Sequence, residues 1–144
     1  SDLMYKDWVY MSTFLPILGV LLVLYFLFAL YQNVAIVLPK VNEIWECPQE
    51  NLKIICTRVE GRHVVCTMYH NDRIIEDVHI GKAFCSYDAS YKDFVDGKEQ
   101  IVGAFAGNFL FRTSDYLYIR GNMDGEKGKH IMKFFISWFG ARYF

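Results

Sequence analysis

The sequence predicts a single N-terminal transmembrane helix followed by a small α+β soluble domain that is mostly β and contains a meander. Two observations lead to this fold class. No charged residue stands between Asp7 and Lys40, although 22% of the 144 residues are charged, so the charges are concentrated in the rest of the chain. After Lys40, short β-rich runs follow one another and are separated by turn residues. The chain is therefore expected to consist of a membrane anchor and one domain of ordinary size.

The predicted transmembrane helix covers residues 11–31 and follows a short N-terminal tail, residues 1–10. A bilayer core of ~30 Å needs about 20 apolar residues, which this run supplies. Pro16 is expected in the first or second turn, where a missing amide costs least. An apolar extension to residue 39 would be a stalk, or a helix packed against a neighbouring subunit. The residues expected at the membrane–water interface are aromatic or basic and flank the run: Tyr5, Trp8, Tyr10, Tyr31 and Lys40.

The first ten residues are not typical of a targeting sequence. They lack the n-region and cleavage pattern of a signal peptide and the Arg-rich, acid-poor bias of a transit peptide. The hydrophobic run is therefore predicted to be an uncleaved anchor. No Asn-x-Ser/Thr sequon occurs, which favours a mitochondrial intermembrane space or a bacterial periplasm over a glycosylated cell surface.

The soluble domain is predicted to cover residues 41–144 and to begin with the meander. Its three strands are expected at residues 52–59, 63–70 and 73–80. The turn candidates between them are Glu60-Gly61 and Asn71-Asp72.

All four cysteines lie in the first half of this domain, and an even set suggests two disulfides in an oxidising compartment, the alternative being four reduced structural thiols. A three-residue loop with a left-handed Gly61 would put Cys56 and Cys66 on one face of the sheet, whereas a two-residue loop would put them on opposite faces. We predict the same face, and hence the pairs Cys56–Cys66 and Cys47–Cys85, among three connectivities that the sequence allows.

The remainder of the domain is less uniform. Residues 88–94 are predicted to form a short helix capped by Asp88, residues 100–112 fit a strand or a packed helix, and residues 116–120 fit a strand. The tail has a helical period, but an Asp-Gly turn at residues 124–125 favours a strand over residues 131–137, paired with the strand before the turn.

Signals for chemistry are sparse. Cys66, Met68 and His70 share one face of a strand and form a weak candidate copper site, although a core position for Met68 and a disulfide for Cys66 are the simpler interpretations. His63 and His79 lie near strand ends and are expected to face solvent, and His130 is a lone basic residue of the tail. No P-loop, dinucleotide, serine-hydrolase or zinc-protease motif is present. We therefore expect a protein without enzymatic activity or cofactor.

Composition points to protein contacts. A net charge of −1 without a basic stripe gives no support for nucleic-acid binding. Aromatic residues make up 17% of the chain, and a domain of this size can bury only some of them. Exposed aromatics mark contacts with partner proteins or lipid, and the alternative is a tight aromatic core. The candidate partner-contact residues are the aromatics of the tail: Phe134, Phe135, Trp138, Phe139, Tyr143 and Phe144.

These observations predict a non-catalytic accessory subunit of a large membrane protein complex, surrounded by lipid and by other membrane-protein subunits. The predicted location is the mitochondrial inner membrane, in an assembly of respiratory-chain type, with the domain in the intermembrane space. The cysteines favour that side, whereas Lys40 and Lys53 weakly favour the opposite one. One alternative is a disulfide-bonded ectodomain of a cell-surface, secretory-pathway or viral-envelope protein. Another is a membrane-tethered assembly factor or metal or redox carrier.

Overall fold

A long apolar helix and a mostly-β domain make up the protein, as predicted. The computed structural model describes residues 2–139, and the chain divides into two compact units at residues 34 and 35. The first unit consists of helix α1 (Asp2–Ala35), none of whose 34 residues is buried. A helix of that length extends about 51 Å. It is long and apolar enough to cross a membrane, criteria that a signal sequence also meets.

Helix α1 begins earlier than the sequence suggested. Residues 2–10, predicted as a tail, are helical. Pro16 consequently lies inside the helix rather than in its first turns. Because proline has no backbone N–H, the Ser12 carbonyl does not receive the usual helical hydrogen bond from residue 16. The hydroxyl of Ser12 donates a hydrogen bond to the Val9 carbonyl at 3.0 Å.

The second unit is a closed barrel of eight antiparallel strands in chain order, in which the last strand returns to pair with the first. A single turn of 3-10 helix, Pro48–Glu50, connects the first two strands. The strands are β1 (Glu43–Cys47), β2 (Leu52–Glu60), β3 (His63–His70), β4 (Arg73–Ala83), β5 (Ser86–Val95), β6 (Lys98–Arg112), β7 (Tyr116–Met123) and β8 (His130–Trp138).

The interior of the barrel is filled by side chains. Trp45, Tyr87, Phe109 and Phe134 are the largest of those that are fully buried. The ring of Trp45 packs against two of the others: its centroid lies 5.6 Å from that of Tyr87 and 6.0 Å from that of Phe134. Eight strands enclose a space just wide enough for such filling. The barrel is therefore built around a packed aromatic core.

Alternation along the strands explains the differences from the predicted secondary structure. Residues 88–94 do not form the predicted helix, because Tyr87, Ala89 and Tyr91 alternate into the core as β5. Residues 100–112, which fitted two structures, belong to β6. The predicted strand at residues 131–137 is confirmed as part of β8, and it pairs with β7.

The turn at Asn71-Asp72 is confirmed, and both residues have positive φ (48° and 64°), as a type I′ hairpin requires. The loop between β2 and β3 has two residues, not the predicted three. Cys56 and Cys66 nevertheless lie directly opposite each other and are both fully buried. A β-bulge at Thr57 adds one residue to β2 and returns both cysteines to the same face.

Residues 36–40 belong to the barrel unit rather than to a helical stalk. Ile36 is 3% exposed and is part of the core. The Tyr87 hydroxyl donates a hydrogen bond to the Val37 carbonyl at 2.6 Å, and the Lys82 ammonium donates one to the Ile36 carbonyl at 3.1 Å. Burial raises the pKa of the Tyr87 hydroxyl, so it keeps the proton that it donates. Residues 36–40 and Glu43 lie at one end of the barrel, which we call the entry end.

The opposite end, here called the loop end, carries the 3-10 helix, the β3–β4 turn and the β7–β8 loop. Strands β6 and β7 approach closely between the two ends, where Gly107 and Gly121 are paired. A Cβ atom at Gly121 would lie 2.0 Å from the Ala106 carbonyl oxygen and 2.5 Å from the Gly107 Cα. Only glycine fits this position.

Strand β6, with 15 residues, is longer than its neighbours. Residues 91–95 of β5 pair only with residues 98–102 of β6, so these segments form a two-stranded ribbon. Phe94 and Ile101, on the ribbon, are both 75% exposed.

Candidate functional site

The outer face of β7 and β8 carries a cluster of aromatic side chains. Tyr116 and Tyr118 on β7 stand beside Phe135 and Lys133 on β8, since these pairs are in register. The Lys133 ammonium lies 4.3 Å from the ring centroid of Tyr116, 4.9 Å from that of Phe135 and 5.7 Å from that of Tyr118. We call these four residues the aromatic face. Its ammonium group is held by the faces of three rings, which fixes the position of a positive charge within an apolar surface.

The predicted partner-contact residues divide into three groups. Phe135, Trp138 and Phe139 are exposed, as the prediction required. Phe134 is fully buried in the core, so its assignment to a contact surface was wrong, because alternation along β8 turns it inward beside Trp45. Tyr143 and Phe144 lie outside the described residues.

The residues predicted at the membrane interface are exposed. Tyr5, Trp8, Tyr10 and Tyr31 all lie on α1, and Lys40 precedes the barrel in the segment that joins it to the helix.

No disulfide joins any of the four cysteines in the structure, so neither predicted disulfide is present. For Cys56 and Cys66 the geometry matches the prediction, because they are cross-strand neighbours, but no disulfide joins them. Cys47 and Cys85 lie at opposite ends of the barrel. Cys47 is in register with Arg73 at the start of β4, through Leu52 and His70, whereas Cys85 lies beyond the other end of that 11-residue strand. A disulfide needs Cα atoms within ~7 Å, so that pairing is excluded.

Burial raises the pKa values of the thiols of Cys47, Cys56 and Cys66. Cys66 and Met68 are in the core, and His70 lies at the rim of the loop end. A thiol kept protonated inside a packed core is a poor metal ligand, since metals bind the thiolate. The three residues of the weak copper candidate are therefore not brought together as an open site.

At the loop end, Glu50, Glu126 and His130 converge from the 3-10 helix, the β7–β8 loop and β8. His130 Nε2 contacts the Glu50 carboxylate, and His130 Nδ1 lies 3.8 Å from Glu126 Oε2. They adjoin an open cleft of about 680 Å³ that His70 and Asp124 also line.

The two carboxyl groups of this cluster have opposite pKa shifts. The hydrogen bond with Glu50 raises the pKa of Glu126. Burial opposes ionisation of Glu50, but hydrogen bonds from Glu126 and His130 outweigh it and lower the pKa of Glu50. The pair thus titrates as a unit in which Glu126 takes the shared proton first. Neither Glu50 nor Glu126 could be identified from the sequence, because 76 residues separate them and no local pattern joins them.

Comparison with models of known protein families, with curated proteins and with solved structures gives no match. The class of protein is therefore defined by its geometry alone: one long apolar helix, and a closed eight-stranded barrel with a packed core and an aromatic outer face.

Proposed function

We propose that this protein is a membrane-anchored, non-catalytic accessory subunit of a larger membrane protein complex. The observation that carries the proposal is the surface of α1, which is apolar around the helix and has no buried residue. Apolar surface that the chain itself does not cover is stabilised by lipid or by other apolar helices. A bilayer, with neighbouring subunits packed in it, provides both.

In this proposal the barrel binds partner subunits through its outside. Its interior is occupied by core side chains, so recognition falls to surface features, of which the aromatic face, with Trp138 and Phe139 nearby on the chain, is the most apolar on β7 and β8. Aromatic residues are enriched at interfaces because they bury large areas with few rotatable bonds. The fixed charge of Lys133 would favour a partner surface that presents a carboxylate among apolar groups.

The location that we propose is the mitochondrial inner membrane, since the sequence has no glycosylation sequon. The intermembrane-space side was predicted from disulfides, and the absence of a disulfide removes that support.

The test is native mass spectrometry of gently solubilised native membranes that contain the tagged full chain. The wild type and a Phe84→Ser variant should be recovered in one large assembly, because Phe84 is exposed but lies in the β4–β5 turn, away from the aromatic face. A Phe135→Ser, Trp138→Ser variant should remain in the membrane but lose its companions. Recovery of the wild-type chain alone would contradict the accessory role, and extraction by alkaline carbonate would contradict the anchor.

A further inference from the structure

A second cluster of histidine and carboxylate side chains lies on the outer face of β2, β3 and β4. Glu60 ends β2 and His63 begins β3, and the two are paired across the hairpin, so their side chains leave the same face. His79 on β4 is in register with Val65, two residues along β3 from His63, on that same face. Strand register thus brings together three residues that are 19 positions apart at most.

These side chains are close enough to share one ion. One ligand atom from each of Glu60, His63 and His79 lies within 4.8 Å of the other two. The imidazole centroids are 4.9 Å apart, and His63 Nε2 is 3.6 Å from Glu60 Oε2. Ligand atoms bound to one Zn²⁺ at ~2.0–2.1 Å lie up to about 4 Å apart, so small side-chain rotations close the set.

The carboxylate is oriented by a second layer of contacts. Arg58 Nε donates to Glu60 Oε1 at 2.8 Å, which leaves Oε2 directed at His63. Arg58 Nη1 donates in turn to Asp77 at 3.3 Å, so the charge of Arg58 is balanced by a second carboxylate. Outer-layer partners of this kind orient metal ligands in known sites.

The surroundings provide a floor and an open side. Val65, beneath the histidines, is fully buried although it faces away from the core, because the surrounding side chains cover it. A surface pocket of about 260 Å³ adjoins both imidazoles, and Ser90 and Lys92 line its other wall. Gly81, whose added Cβ would lie 4.0 Å from His63 Cβ, contributes no side chain on this surface.

We infer that Glu60, His63 and His79 form a binding site for a divalent transition-metal ion of the Zn²⁺ type. Two imidazoles and one carboxylate are a ligand set suited to Zn²⁺. Three protein ligands leave the fourth position for water, on the side of the pocket. The other cluster, Glu50–Glu126–His130, offers one imidazole and two carboxylates, a set less suited to this ion.

The test uses the full chain in detergent micelles, titrated with ZnCl₂ by calorimetry. We expect one Zn²⁺ per chain. His63→Asn and His79→Asn should each weaken binding by at least the ~10–100-fold that loss of an outer-layer partner produces. The matched controls are His70→Asn and His130→Asn, which change the other two histidines of the chain and should leave Zn²⁺ affinity unchanged. Unfolding of each metal-free variant, followed by circular dichroism, would show that the barrel is intact.

Substitution with Co²⁺ identifies the ligands independently. Nitrogen and oxygen ligands in a four- or five-coordinate site give visible d–d bands without a thiolate-to-cobalt charge-transfer band. Absence of stoichiometric binding would overturn the inference. So would a thiolate band, or Zn²⁺ affinity that persists in His63→Asn and His79→Asn but falls in His130→Asn.

Discussion

Replacing Gly121 by alanine is expected to destabilise the barrel by about 3 kcal/mol. The added methyl group would lie 2.0 Å from the Ala106 carbonyl oxygen and 2.5 Å from the Gly107 Cα, whereas non-bonded heavy atoms prefer about 3.5 Å. Both obstacles are backbone atoms of β6, so the strand itself has to move by roughly 1.5 Å. Overpacking that forces side chains off their rotamers and shifts the backbone costs about 1–3 kcal/mol, and displacement of a paired strand belongs at the upper end of that range.

Gly81→Ala is the matched control. Gly81 also lies within a strand, and the nearest atom to its added Cβ is 4.0 Å away, an ordinary contact. This substitution should stabilise the barrel by about 0.4–1 kcal/mol, because it reduces the conformational entropy of the unfolded chain. The two variants should therefore differ by more than about 3 kcal/mol, or more than two orders of magnitude in the folding equilibrium.

The measurement is urea unfolding of the full chain in micelles, without added metal, followed by tryptophan fluorescence with buried Trp45 as the reporter. A difference below about 1 kcal/mol between the two variants would refute the close approach of β6 and β7 at Gly107 and Gly121.

Two further predictions concern the thiols and the loop end. At neutral pH, brief alkylation of the folded chain should give one adduct by intact mass, at Cys85, because the other three thiols are buried and burial raises their pKa values; several adducts on folded protein would contradict this burial. The free energy of unfolding should rise as pH falls from 7 toward 4.5, because the raised pKa of Glu126 lets the folded state bind a proton before the unfolded state does. Below 4.5 the free energy of unfolding should fall, because Glu50, whose pKa is lowered, becomes protonated there. For the Glu126→Gln variant, denaturant unfolding between pH 7 and 3.5 should show stability falling below pH 4.5 but not rising between pH 7 and 4.5. A pH profile of stability identical to that of the wild type would exclude the proton shared by Glu50 and Glu126.

Much of the local structure could be predicted, because hairpin signals are local. Asn71-Asp72 between two β-rich runs identified a turn, and the residues around Gly125 identified the final hairpin. The helix predicted at residues 88–94 was wrong because Asp88 and its polar neighbours were interpreted as cap and turn chemistry. The period-2 alternation of Tyr87, Ala89 and Tyr91 was present in the same residues and determines the strand.

Closure of the barrel could not be predicted, because it depends on contacts distant in sequence. Trp45 on β1 is opposite Ile136 on β8, 91 positions later, and no periodicity in either segment specifies that pairing. The bulge at Thr57 is a similar case. It decides which face Cys56 occupies, yet threonine is common in regular strands and gives no signal of a bulge.

The candidate metal site was missed for a related reason. Glu60 and His63 flank a predicted turn, so their pairing was available from the sequence. His79 joins them only through the register of β3 and β4, which includes a shift between Cys66 and Met68. His63 and His79 lie on the outer face, where they are half-buried rather than fully exposed to solvent. The identity of their neighbours depends on irregularities that the sequence does not reveal.

The two-stranded ribbon of β5 and β6 has a consequence for how the folded protein behaves at high concentration. Within the described barrel, residues 91–95 and 98–102 pair with each other but have no strand on their outer sides, so their edges offer backbone groups to a strand from another molecule. Charged side chains at such edges oppose strand addition, and this ribbon carries four of them: Lys92, Asp93, Lys98 and Glu99. At high concentration, these exposed charges would keep the ribbon of one molecule from adding to the sheet of another. Neutralising the charges would make the protein prone to aggregation while the barrel stayed folded.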